Sequence, residues 1–168
     1  DGTYTQGNVD ISIGAGGYLQ QAGTFVGKPT RNVVCAGQFV KIGGSLNSLN
    51  ITFTGVASSF TTNTGEDVIY KIRNENSLTI KSGCYVNNIE NLGSMVLPTG
   101  TFLRYAPTSV GCTFSNAGTI TGDGTLNIWL YNHDPGINFG NIGCRTIIKT
   151  QYVPIKNLVL TMASDANI

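Results

Sequence analysis

Apolar residues in this chain recur at every second position over short stretches, and nearly every stretch is bounded by glycine, asparagine or aspartate. Such alternation marks strands with one buried side, and no useful length of the sequence carries the helical period. The pattern predicts strands at residues 9–13, 17–21, 33–42, 49–54, 67–73, 77–81, 84–87, 94–97, 101–105, 112–114, 118–121, 125–131, 145–149 and 152–162. Turn signals separate them at Gly43-Gly44, Thr64-Gly65, Ser82-Gly83, Asp123-Gly124 and Asp134-Pro135-Gly136. There glycine permits positive φ and Asp can close a turn through its side chain.

One pattern is written twice. Leu78-Thr-Ile-Lys-Ser-Gly-Cys-Tyr-Val86 and Met95-Val-Leu-Pro-Thr-Gly-Thr-Phe-Leu103 stand in register at an offset of seventeen residues, and both read as strand, glycine turn, strand. A looser copy follows at Thr119–Ile128, and an earlier one at Asp10–Leu19. The turn glycines of the three later copies are Gly83, Gly100 and Gly124. A single arch cannot bury its own apolar side, so repetition at this period calls for stacking on a neighbour. The expected fold is all-β: stacked β-arches or a short β-solenoid with open edges for strand pairing between molecules, in a single domain spanning 1–168.

Charge sharpens that picture. Only 11% of residues are charged, and Ile42–Gly65, Tyr105–Gly122 and Ile11–Gly27 contain none. Strand edges of soluble β-proteins are usually guarded by Lys, Pro or bulges, so these stretches read either as interior strands or as open edges that polymerise; the second is the expectation here. Lys plus Arg number 10 against 9 for Asp plus Glu, which leaves no electrostatic footprint for nucleic acid. The longest apolar clusters, residues 33–36 and 128–131, are far too short to span a bilayer as a helix, so no transmembrane segment is expected. A start at Asp1 rather than Met is read as a mature chain whose signal segment has been removed, hence an extracellular, cell-surface location.

Candidate chemistry is sparse. Cys35, Cys84, Cys112 and Cys144 are too widely spaced for a zinc or redox motif; in an extracellular chain they read as disulfide candidates, within or between subunits. His133 is the sole histidine and precedes an Asp-Pro-Gly turn, so it reads as a turn residue rather than a catalytic base. Glu66-Asp67 is the only adjacent acidic pair. Neighbours on a strand point to opposite faces, so the pair reads as a loop cap or surface charge. Asp123-Gly124 reads as a turn, since the repeated ligand pattern of calcium β-rolls is missing. No catalytic, cofactor or metal residues are expected. Trp129 and Tyr131 share one face of a strand, with Tyr105 and Tyr152 candidates for neighbouring strands, and form a candidate interface or glycan platform. Asn50-Ile-Thr52 is the one glycosylation sequon.

The segments Asn91-Leu-Gly-Ser-Met-Val-Leu-Pro-Thr-Gly-Thr-Phe102 and Asn116-Ala-Gly-Thr-Ile-Thr-Gly-Asp-Gly-Thr-Leu126 resemble coils of prokaryotic surface β-solenoids. More narrowly, a short, nearly neutral, Gly/Asn/Thr-rich chain with scattered cysteines resembles the sheath proteins of filamentous methanogenic archaea. That resemblance implies a structural, non-enzymatic subunit that self-assembles by strand stacking into an amyloid-like extracellular sheath, tube or filament, its contacts locked by cysteines. The implied partners are the chain itself, as a homopolymer, and a cell-surface polysaccharide. Two rivals are a carbohydrate-binding adhesin or phage-fibre module, and a solenoid enzyme acting on polysaccharides through converging carboxylates such as Asp123 and Asp134.

Overall fold

The computed structural model describes residues 2–62, 67–131 and 136–151. These contain seventeen strands and no helix, and every strand pairing is parallel. The chain winds as a β-solenoid of about seven turns with three strand-bearing faces. Face 1 stacks β1 (Thr3–Thr5), β4 (Thr24–Val26), β7 (Ser45–Phe53), β9 (Val68–Asn74), β11 (Cys84–Asn91), β13 (Phe102–Tyr105), β15 (Thr119–Tyr131) and β17 (Asn141–Gln151). Face 2 stacks β2 (Ile11–Ile13), β5 (Val33–Cys35), the later halves of β7, β9 and β11, then β14 (Thr113–Asn116) and β16 (Gly136–Asn138). Face 3 stacks β3 (Tyr18–Gln20), β6 (Gln38–Lys41), β8 (Ser58–Thr61), β10 (Ser77–Ile80), β12 (Ser94–Val96) and the opening residues of β15 and β17.

The repeat seen in the sequence is one corner of this coil, from face 3 to face 1. Leu78 pairs with Met95, seventeen residues on, as the offset predicts. Cys84 pairs instead with Leu103, because residues 98–102 make a longer corner than residues 81–83. Two extra residues preserve the alternation of inward and outward side chains, so the corner can lengthen without moving the core residues to the surface. Thr119–Ile128 stacks on the same corner through Ile120 on Met95 and Leu126 on Leu103. The Asp10–Leu19 copy differs: it turns from face 2 to face 3 and pairs with β5 and β6.

Alternate residues fill the interior. On face 2 the inward row runs Val33, Ile51, Ile72, Ile89, Phe114, all fully buried. In the lower turns aromatic rings stack rung on rung, with centroids 4.6 Å apart for Tyr18 and Phe39 and 5.7 Å for Phe39 and Phe60. In the upper turns the corner between faces 2 and 3 carries Asn74, Asn91 and Asn116, each completely buried. Asn74 Nδ2 donates to Asn91 Oδ1 and Asn91 Nδ2 to Asn116 Oδ1, both at 2.7 Å. The same nitrogens reach the carbonyls of Ser94 and Thr119 on the rung above, and Asn116 Nδ2 reaches those of Phe139 and Asn141. Three buried amides thereby satisfy corner carbonyls that a parallel sheet cannot reach as the chain bends away.

The glycine two residues after Asn91 and Asn116 has a separate cause. A Cβ on Gly93 would sit 1.9 Å from the carbonyl oxygen of Asn76, and one on Gly118 1.9 Å from that of Gly93, so the rungs touch backbone to backbone there.

Two of the three charge-free stretches prove to be interior. While the loops at Val56 and Val110 are exposed, the strands within residues 45–61 lie between the turns below and above them, and those within residues 105–121 are likewise sandwiched. The expectation of exposed polymerising edges therefore fails for them: they lack charge because neighbouring rungs already cover their ladders. Only 11–27 includes a terminal rung.

Candidate functional site

The predicted residues do not converge on one site. The four cysteines are free thiols, all buried, and no disulfide joins them. This corrects the expectation of disulfides within the chain. Cys35 stacks between Ile13 and Phe53 on face 2 and Cys84 under Leu103 on face 1; Cys112 lies beside Asn88, and Cys144 in β17. Burial raises the Cys35 and Cys144 thiols, and pushes Cys84 up to about 12 with a smaller push from the Asp67 charge. Such thiols behave as small apolar side chains rather than reactive groups.

Asp67 is no surface charge, contrary to the sequence reading. Its carboxylate is 3% exposed, accepts from Lys41 Nζ at 2.6 Å, and accepts from the Leu46 backbone N–H at 2.8 Å. The loop-cap half of that reading holds, since the carboxylate closes the corner onto β7. Lys41 continues an inward polar row with Gln20 and Thr62, each almost fully buried. Glu66, His133 and Asp134 lie outside the described residues, as does Tyr152.

Among the turn glycines, Gly100 has φ of 78°, as a tight turn asks. Gly83 and Gly124 are needed for space instead: a Cβ would stand 2.1 Å from the Phe102 ring or 2.7 Å from the Pro98 carbonyl oxygen. Asp123 is exposed where β15 shifts register between Thr121 and Thr125. Asn50 is half-buried on face 2, with Nδ2 donating to the Pro29 carbonyl at 3.3 Å.

Tyr105 corrects the aromatic platform. It points inward, is fully buried, and packs edge-on against Phe114 at 5.6 Å, so it cannot share a surface with Trp129. Burial raises its phenol pKa. Trp129 is half-buried on face 1, whereas the Tyr131 side chain lies outside the described structure. What accompanies Trp129 is a group the sequence reading missed. The Arg104 guanidinium lies 3.7 Å from the Trp129 ring, 4.4 Å from Tyr85 and 5.2 Å from Phe102, and Lys149 Nζ is 5.2 Å from the same indole. Strand pairing explains the assembly: Tyr85 and Arg104 are direct partners, and Trp129 pairs with Lys149 on the next rung. The outward period-two pattern Phe102-x-Arg104 was visible, but its Tyr85 neighbour is set by the two-residue lengthening of the corner.

The charges on face 2 are arranged differently. Lys71 and Arg73 meet Glu90 at 2.6 Å and 2.7 Å, and Arg73 also meets Glu75 at 2.9 Å. Beside them a shallow groove runs past Asn32, Asn50 and Thr52. No group of three or more His, Cys, Asp or Glu among the described residues could hold a metal ion.

The ends of the solenoid form the third feature. Among the described residues, six apolar core side chains remain only partly buried: Ile11, Ile13 and Tyr18 on the first described turn, and Ile137, Ile142 and Ile148 on the last described turn. Tyr4, on the first turn, is 55% exposed. Among the described residues, β1, β2 and β3 each pair along one edge only. No helix of the described residues is long and apolar enough to cross a membrane. No family model, curated protein or solved structure matches the chain.

Proposed function

We propose that the chain is a structural, non-enzymatic subunit that assembles head to tail, through its terminal rungs, into a filament or tube of an extracellular coat. The observation that carries this reading is the incomplete burial of core side chains at the two ends of the stack. Among the described residues, the apolar rows running up the inside end in Ile11, Ile13 and Tyr18 below and in Ile137, Ile142 and Ile148 above. Placing one end on the other would continue those rows and pair the free strand edges, the two terms that hold the rungs together within the chain. Asp10, Asp67, Glu75 and Glu90 are already engaged by Lys41, Lys71, Arg73 or backbone, an arrangement suited to structure rather than to acid–base chemistry. Placement at the cell surface rests on the resemblance to sheath subunits and draws nothing from the cysteines.

Electron microscopy of the concentrated protein tests this. Filaments with an axial subunit repeat of about 34 Å are expected, about seven rungs at about 4.8 Å each. Ile13→Lys and Ile142→Lys, at opposite ends, should each abolish them while leaving the strand-type circular dichroism intact. Discrete particles at every concentration would sink the reading.

A further inference from the structure

We propose that face 1 of the last turns carries a binding site for an acidic polysaccharide, with Arg104 as its carboxylate anchor. The site lies on the outer wall of face 1, where Arg145 and Lys149 point outward from β17 while Ile142 and Ile148 of the same strand point into the core, so it is tested separately from head-to-tail assembly.

Contrast between the two charged faces carries the argument. On face 2 each cation named above meets a carboxylate within the chain. On face 1 Arg104, Arg145 and Lys149 meet no carboxylate among the described residues, and the acid of the neighbouring strand, Asp123, forms no ion pair with them. Arg104 also makes no hydrogen bond among the described residues, and its Nε is buried without an acceptor. An unsatisfied buried N–H on a charged group is costly unless a ligand supplies the acceptor. Held among Trp129, Tyr85 and Phe102, the guanidinium has little freedom left to lose on binding, and its planar N–H edge matches a carboxylate bidentately.

The spacing selects the polymer. Arg104 is two rungs, about 10 Å, from the β17 rung that bears Arg145 and Lys149. Between them stand Asn127 and Thr125, half-buried neutral groups able to bond hydroxyls. Well-separated charges with hydroxyl-bonding groups between them describe a chain of uronate sugars. A nucleic acid, with a charge about every 3.4 Å along each strand, would ask for denser cations.

The test is calorimetric titration of the full chain with an oligogalacturonate, its carboxyl-reduced neutral counterpart, a poly-glutamate peptide and a single-stranded DNA oligomer. Binding of the oligogalacturonate alone is expected. Arg104→Lys, which keeps the charge but loses the planar fork, should weaken it about tenfold or more. Lys71→Gln on face 2 should leave it unchanged, and circular dichroism should show both variants folded. No binding of the oligogalacturonate, equal binding of the neutral sugar, the peptide or the DNA, or unchanged affinity in Arg104→Lys would each overturn the proposal. Loss of filaments with oligogalacturonate binding retained would leave this site standing and remove only the assembly reading.

Discussion

Asn91 sits at the middle of three buried amides and is bonded on both sides, which makes it the most exacting single position in the core. Asn91→Leu would leave Asn74 Nδ2, Asn116 Oδ1 and the Thr119 carbonyl short of a partner. Each abandoned buried group costs about 1–3 kcal/mol, so urea denaturation should show a loss of at least about 3 kcal/mol. Lys41→Met is expected to cost about 3–5 kcal/mol by stranding the Asp67 charge, with much of that recovered in a Lys41→Met, Asp67→Leu double variant. Glu90 is partly exposed, and its effect is correspondingly small. The hydrogen bond from Lys71, and then the charges of Lys71 and Arg73, hold its pKa below the usual carboxylate value despite opposing desolvation. Its contribution is therefore present above the unfolded pKa and fades as pH falls through the lower folded one. Glu90→Gln should flatten the acid limb of the stability curve, read as unfolding midpoint against pH. These side-chain partnerships were hidden in the sequence because each joins residues on different rungs. The Asn-x-Gly pieces alone gave an outward sign of the ladder.

Strands were legible wherever two or more inward apolar residues alternate, as in β9, β10 and β15. They were missed at β1, β4, β8 and β16, which have three or four residues and one large inward side chain apiece: Tyr4, Phe25, Phe60 and Ile137. So short an element carries no period, and only the rung beneath defines it. Residues 33–42 read as one run yet bend between β5 and β6, where a Cβ on Gly37 would come within 2.4 Å of the Ala15 carbonyl oxygen. Residues 119–131 erred the opposite way, two predicted strands being one with a register shift. Within that strand Ile120 is fully buried and flanked by Met95 and Ile142. Ile120→Pro removes a donor from a central ladder and should abolish the cooperative thermal transition, not merely weaken association; a preserved transition would place the residue outside the ladder.

Across the molecule, each turn contacts mainly the turns above and below it, so stability is expected to be graded along the axis. Amide hydrogen exchange should be fastest in β1, β2 and β3 and slowest in β9 and β11. Self-assembly would slow β1 to β3 at one end and β16 and β17 at the other, making the same measurement a footprint of the end contact. The solenoid class was legible from repetition and low charge, whereas the free state of the thiols was not, because cysteine spacing says nothing about which face a residue occupies.

The three ladder asparagines all donate toward the C-terminal end: Asn74 to Asn91, Asn91 to Asn116, and Asn116 to the Phe139 carbonyl. Their amide dipoles therefore add head to tail, each polarising the next, and give the core a vector. A fibre of such molecules joined nose to tail would inherit that vector, present chemically different tips, and grow with a direction, so labelled subunits offered to preformed seeds should extend the two tips at unequal rates.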